Sequence, residues 1–271
     1  NLVRLLIAPG DAVVTSDGAY PTFNYHVTGF GGVLHKVPYA DDHEDLTGLL
    51  KRAARVDAKL VYFANPDNPM GCWHKGADIK RAIDAHLPEG CLMLLDEAYV
   101  EFAPEGTALN LGANDPRVIT MRTFSKAYGM AGARVGYAIA APGLIRSFDK
   151  IRNHFGMNRM AQAGALAALM DAEWLALTRT KVANARVAIA AIAADNGLSA
   201  LPSAANFVAV DCGRDGDFAR RLLAALTARG IFVRMPFVPP QDRCIRISCG
   251  RPQDLDQLAQ ALPLALAEAG G

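Results

Sequence analysis

Apolar and polar positions follow two alternating rhythms through the first half of this chain. Short runs rich in β-branched and aliphatic residues, "DAVVTSD", "VLHKVPY", "AKLVYFAN", "CLMLLDEAYV" and "VITMRTF", have the character of buried strands. Between them lie segments with helical spacing. "PTFNYHVTGFGG" opens on a proline and closes on glycines, and "DLTGLLKRA" and residues 76–86 continue the pattern. "ARVGYAIAA" reads as one more strand. Strands that alternate with helices of this size predict right-handed βαβ units, hence an α/β fold: a three-layer α/β/α arrangement around a mainly parallel sheet. The opening "NLVRLLIAPGD" has no initiator Met and no signal-peptide charge pattern, and a helical rhythm is already under way. It reads as the middle of a longer chain.

The rhythm changes in the second half. Residues 158–194 are Ala-rich and wholly helical in spacing, which predicts one long helix or two abutting ones. Past Gly197 the pattern predicts strand "NFVAVDC", helix "DFARRLLAALTARG", strands "IFVRMP" and "CIRISCG", and a last helix from Asp254 to Glu268. This is a compact α+β unit. The boundary falls within 170–196, giving a large domain over 1–170 and a smaller C-terminal domain over 171–271 that includes the connecting helix.

Composition narrows the function classes. Half of the 271 residues (51%) are hydrophobic and the formal net charge is +1, with no basic stripe or acidic tail. Nucleic acid and anionic membrane are therefore not expected as partners. The most apolar helical stretch, "MAQAGALAALMDAEWLALT", is interrupted by Gln162, Asp171 and Glu173, so no membrane span is expected. Five cysteines without a CxxC pair or His-rich spacing point to reduced thiols, a cytoplasmic location and no metal site.

The chemistry gathers where strands end. Lys126 follows "VITMRTF", and in open α/β sheets the C-terminal strand edge is where ligands bind. Asp96 closes the apolar run "LMLLD", where a carboxylate needs a partner. "NPDNP" presents Asn68 at another strand end; alone it would be an ordinary turn. Arg134, with Thr123 and Ser125, places a guanidinium and two hydroxyls in one short loop, the donors of a phosphate site. Taken singly, each has a plain structural explanation: a surface lysine, a capping carboxylate, a turn. Together, an amine, a carboxylate, an amide donor and a phosphate cradle match the needs of pyridoxal 5′-phosphate.

The segments "TFSKAYGMAGARVGY", "NPDNPMG" and "LLDEAY" resemble the cofactor-binding motifs of the fold-type I pyridoxal-phosphate enzymes, the class I/II aminotransferases. Their order, and the C-terminal "CIRISCG", most resemble the histidinol-phosphate aminotransferase branch. The resemblance implies Lys126 as the lysine that bonds the cofactor aldehyde and then moves the substrate proton. It implies Asp96 at the pyridine nitrogen, Asn68 and Tyr99 at the phenolic oxygen, Tyr20 stacked on the ring, and Thr123, Ser125 and Arg134 at the phosphate. It implies Arg246 at the substrate's acidic group, with Arg234 and Asn206 on the substrate side.

The implied activity is transfer of an amino group from a small-molecule donor to a keto acceptor by a ping-pong Schiff-base mechanism, histidinol phosphate with 2-oxoglutarate being favoured, in a homodimer. The family's N-terminal arm and its glycine-rich, Ser-containing turn have no counterpart in this sequence. Met70 and "RNHFGMNRMAQ" depart from the branch's pattern, and His154 is a further pocket candidate. A decarboxylase of the threonine-phosphate type and a non-catalytic aminotransferase-like binding domain are the alternatives left open.

Overall fold

The structure, a computed structural model, describes residues 2–111 and 115–270. After a short helix α1 (Leu2–Leu6), strand β1 (Ala12–Ser16), helix α2 (Pro21–Gly29), β2 (Val33–Val37), α3 (Leu46–Arg55), β3 (Leu60–Ala64), α4 (Gly76–His86) and β4 (Leu92–Asp96) follow in strict alternation. Then come β5 (Val118–Thr123) and β6 (Gly136–Ile139), which complete a six-stranded sheet in the order β2-β1-β3-β4-β5-β6. All neighbours are parallel except β5 and β6. The exception has a simple cause: the segment joining them has only a 3₁₀ turn, Ala131–Ala133, and no crossover helix, so the chain doubles back.

The strand alternation sorts side chains onto two faces. Along β3, Leu60, Tyr62 and Ala64 enter the core under α2, whereas Val61 and Phe63 enter the core under α3 and α4. Both faces are covered, which is why the strand reads as a continuous apolar run. Helix α3 shows the local logic. Leu46, Leu49, Leu50 and Ala53 form its buried stripe, and Asp45 caps it by accepting the Gly48 N–H at 2.9 Å.

Helix α5 (Pro142–Ser147) follows β6, and the Ala-rich stretch then resolves into two helices, α6 (Arg159–Met170) and α7 (Ala172–Asp195). Asp171 divides them because its carboxylate accepts the Trp174 N–H at 2.9 Å and so caps α7. Ala161 and Ala165 of α6 pack on Phe124 and Val135, beside the large sheet. The far end of α7, from Ala185 to Ala193, packs into a separate core. That core includes β8 (Phe207–Asp211), α8 (Gly216–Ala228), β9 (Cys244–Ser248) and α9 (Pro252–Gly270), with β7 (Ser199–Ala200) at the edge of an antiparallel sheet β7-β8-β9.

Four elements differ from the sequence-based expectation. "IFVRMP" is not a strand: it contributes a single bridge, Arg234 to Arg246, because only one residue reaches the edge of β9. The strand expected over "CLMLLDEAYV" stops at Asp96, where the chain turns into the 3₁₀ segment Val100–Phe102. Short elements α5 and β7 have too few residues to show a period.

A buried acid network braces the turn after β3. Glu44 accepts the Ser16 hydroxyl at 2.7 Å and the Ala64 N–H at 3.2 Å, while Asp67 accepts the Tyr39 hydroxyl at 2.9 Å and the Met70 N–H at 3.0 Å. Both carboxyls are almost inaccessible to water, and burial, followed by the nearby Asp67 charge, pushes Glu44 well above the ordinary glutamate range. Burial thus favours the neutral form of Glu44 in the folded protein. Its contribution to stability is complete below the ordinary glutamate pKa and is lost as the pH rises through the raised folded value. Glu44→Gln, which fixes the neutral form, should flatten the alkaline side of the stability profile and equal or exceed the parent by about 1 kcal/mol at pH 9. Urea denaturation across pH 5–9 checks this, and a parallel decline in both proteins would contradict it.

Candidate functional site

In a sheet ordered β2-β1-β3, the chain leaves β1 to one side and later returns to the other, which opens a crevice at the carboxyl ends of these strands. A cavity of about 580 Å³ lies at that edge. Tyr20, Asn68, Asp96, Tyr99, Thr123, Ser125, Lys126 and Arg134 all line it. Tyr20 enters after β1, Asn68 after β3, Asp96 and Tyr99 at and past the end of β4, and the Thr123–Lys126 segment from β5. Arg134 reaches the same edge from the opposite direction, because β6 runs antiparallel and begins where β5 ends.

Register sets the depth of each group. Ala64 of β3 is paired with Asp96, and Asp96 with Met121 of β5, so the three strands finish nearly level. Asp96 accepts the Tyr62 hydroxyl at 2.8 Å on one carboxylate oxygen and the Ala98 N–H at 3.0 Å on the other. Burial pushes its carboxyl above the usual range, with the Tyr62 and Ala98 bonds and the Lys126 charge pulling it back. Lys126 is exposed to the cavity, its Nζ 5.3 Å from the centre of the Tyr99 ring.

Tyr99 is buried, and desolvation pushes its hydroxyl up to about 12, so it remains a donor at neutral pH. The Asn68 amide nitrogen lies 3.5 Å from that hydroxyl, and the Asn68 carbonyl accepts from the Arg246 guanidinium. Arg246 also lies over Phe207, 4.6 Å from the ring centre, and Phe207 meets Tyr99 edge-on at 5.4 Å. Arg246 is not itself in the cavity lining, and the C-terminal sheet reaches the cavity wall through its bond to Asn68. Gly71 permits this approach: at φ +80° it sits where a Cβ would fall 2.4 Å from Ser203 Oγ.

The phosphate-type donors form a tight turn. Thr123 Oγ1 accepts the Ser125 N–H at 3.0 Å, and Arg134 adopts a left-handed conformation, φ 56°, with Nη1 donating to the Ala131 carbonyl at 2.8 Å. Of the expected substrate-side residues, only Arg246 is joined to the cavity residues. Arg234 is bridged to Arg246 through backbone bonds of 3.1 and 2.6 Å, but its side chain is exposed and lies on Phe232. Asn206 accepts the Cys249 N–H through its backbone at 2.9 Å and does not line the cavity. His154 is exposed and lies outside the cavity lining.

Two groups escaped the sequence reading. Tyr62 looked like one more apolar strand residue, and no local signal marks its hydroxyl. Arg122 of β5 donates through Nε and Nη2, at 2.8 and 2.7 Å, to one oxygen of Glu97, just past β4, and the other Glu97 oxygen accepts the Leu109 N–H at 2.9 Å. A charge on each of two successive buried strands was the available clue. The pair ties together the strands that carry Asp96 and Lys126. No cluster of potential metal ligands occurs among the described residues.

The model of the aminotransferase class I and II family matches residues 1–262. A histidinol-phosphate aminotransferase of Ralstonia nicotianae is 37% identical over 269 residues, covering 98% of this chain and 71% of that protein. The crystal structure of histidinol-phosphate aminotransferase from Sinorhizobium meliloti, in complex with pyridoxal 5′-phosphate, superposes with a TM-score of 0.96 at 53% identity, over 98% of this chain and 73% of that one. An aspartate aminotransferase of Thermus thermophilus, with a TM-score of 0.80 at 22% identity over 98% and 72% of the two chains, shares the fold.

The Glu97–Arg122 pair gives a direct stability prediction. Arg122→Met leaves a fully buried Glu97 with one backbone donor, and should cost about 3 kcal/mol in urea denaturation. Adding Glu97→Gln to that variant should recover a large part of the loss. Equal instability in the single and double variants would mean that the pair is not what holds the strands.

Proposed function

The chain belongs to the class I and II aminotransferase family, and on that premise we propose that it moves an amino group between histidinol phosphate and 2-oxoglutarate with pyridoxal 5′-phosphate as cofactor. The observation that carries this reading is the convergence of Lys126, Asp96, Tyr99, Asn68, Thr123, Ser125 and Arg134 on one cavity from separate strand ends. Their chemistry fits the cofactor group by group. Asp96 has only uncharged donors on its oxygens and burial raises its carboxyl, so a cationic ring N–H is a partner that would favour its charged form.

When bound, the cofactor supplies a ring over which the electrons released at the substrate Cα can spread. Asp96 keeps the ring nitrogen protonated. The Tyr99 hydroxyl and Asn68 amide donate to the phenolic oxygen, and Tyr20 covers one face of the ring. Thr123, Ser125 and Arg134 bind the phosphate, where a guanidinium fork and hydroxyls give charge-assisted bonds. Lys126 Nζ would hold the cofactor at its aldehyde and, as a free amine, would serve as the base that carries the proton between the substrate Cα and the cofactor's aldehyde carbon.

Arg246 is assigned to the acidic group of the substrate or of 2-oxoglutarate. Desolvation lowers its pKa, which indicates a guanidinium stripped of water and able to gain from an anion. Arg234 stays beside Arg246 through its backbone, and the Asn206 carbonyl holds Cys249 in the segment after β9. The separate core around α8 and α9, which takes in α7 from Ala185 onward, supports a smaller C-terminal domain. A homodimer is supported by the exposed apolar side chains Met160, Leu166, Leu169, Met170 and Trp174 along α6 and the start of α7.

Histidinol phosphate is favoured by the likeness to the Sinorhizobium meliloti enzyme at 53% identity. In a transamination panel with 2-oxoglutarate, histidinol phosphate should give the highest kcat/KM among phosphorylated, aromatic and acidic amines. A higher value for another amine would replace the substrate, and CO2 release without acceptor would replace the reaction with decarboxylation. Lys126→Ala should lose the borohydride-fixed cofactor adduct that mass spectrometry finds on the parent. An adduct retained on another lysine would remove Lys126 from its role.

A further inference from the structure

Tyr62 stands at the centre of the sheet, on β3, and is 3% exposed. Its ring is stacked on Phe23 of α2, with centroids 4.5 Å apart and planes at 17°. Packing alone would account for the ring. It does not account for the hydroxyl, which donates to Asp96 Oδ2 at 2.8 Å and lines the cavity. Strand register explains how the two meet. Tyr62 is paired with Leu94 and Ala64 with Asp96, so Tyr62 and Asp96 are diagonal neighbours on one face, within reach of a long side chain.

The two oxygens of Asp96 are thus held by groups of different origin. Oδ1 takes the N–H of Ala98, two residues along the chain, and Oδ2 takes a hydroxyl from a strand 34 residues away. The local bond alone would leave the carboxylate free to pivot. The second bond stops it, with a donor that carries no charge and so does not compete for the site's cation.

We propose that Tyr62 is a positioning residue: its hydroxyl, clamped by the stack on Phe23, fixes the Asp96 carboxylate so that its unused lone pairs face the ring nitrogen of the cofactor. The inference rests on the assignment of Asp96 to that nitrogen. The titratable groups around Asp96 are Tyr62 on β3, Tyr99 past β4 and Lys126 past β5. Burial raises Asp96, and the Tyr62 bond is the largest force opposing it. Loss of the hydroxyl therefore removes both the orientation and part of the support for the charged form.

Tyr62→Phe tests this because it keeps the ring and the stack. The melting temperature of the cofactor-free protein should stay near that of the parent, while the Asp96 carboxyl, followed by ¹³C NMR, should titrate higher. Pyridoxal 5′-phosphate should bind roughly tenfold more weakly, as expected for one hydrogen bond to a charged acceptor. In the holoenzyme kcat should fall with little change in KM for the amino donor. Site-specific 3-fluorotyrosine at position 62, with a more acidic hydroxyl, should shift the Asp96 titration downward, a result that also holds the test together should Tyr62→Phe fold poorly.

An Asp96 titration and a cofactor affinity that ignore both changes at position 62 would overturn the proposal. Asp96→Asn separates this from failure of the underlying assignment. If that variant binds the cofactor as the parent does and with the same visible spectrum, Asp96 is not the ring-nitrogen partner. If it binds weakly while Tyr62→Phe does not, Asp96 keeps its role and Tyr62 loses the one proposed here.

Discussion

The site depends on one constraint: parallel strands that pair in register must end together. Ala64, Asp96 and Met121 lie side by side across β3, β4 and β5, and beyond them each strand must turn. A turn at a sheet edge has backbone groups with no ladder partner, so it favours Asn, Asp, Ser and Thr, whose side chains can satisfy them. Those residue types are also the donors and acceptors that a polar ligand needs. The same geometry that ends the sheet therefore assembles the cavity, and Asp96 shows it directly: its carboxylate caps the turn through the Ala98 N–H and still faces the open space.

Holding such polar groups near a core carries a cost, met by polar partners placed outside the cavity lining or at its margin. Glu97, next to Asp96, points to the far side and takes Arg122 from the neighbouring strand. Glu44 and Asp67 bind the backbone of the segment that presents Asn68. Tyr62 reaches Asp96 from the sheet itself. Each of these joins two strands or a strand and a turn, so that a residue facing the cavity is fixed by contacts on more than one element.

The C-terminal unit meets this edge through two shared apolar clusters, Tyr99, Phe102 and Ala127 with Ala205 and Phe207, and Met70 and Cys72 with Ala209 and Cys244, and through arginines. Its own core is built from α7, α8, α9 and the antiparallel sheet, and it meets the cavity where Arg246 bonds Asn68 and stacks on Phe207. Arg243 adds a second tie, a bidentate bond to Asp42 at 3.1 and 2.7 Å, on the opposite flank.

Alternating strands and helices, the polar residues at strand ends, and a lysine after "VITMRTF" were legible because they are local: a period of two or of 3.6, and the chemistry of turns, are carried by a few consecutive residues. The motifs around Lys126, Asp96 and Asn68 were legible for the same reason. What the sequence did not disclose depends on register and crossing of elements far apart. That β6 returns antiparallel, that "IFVRMP" gives one bridge rather than a strand, and that the Tyr62 hydroxyl falls on Asp96 are set by which strands become neighbours and where they stop. Sequence alone determined that polar groups would gather at the strand ends; only the tertiary structure decided which of them touch, because a hydrogen bond of 2.8 Å between residues 34 positions apart exists only once the sheet has aligned them.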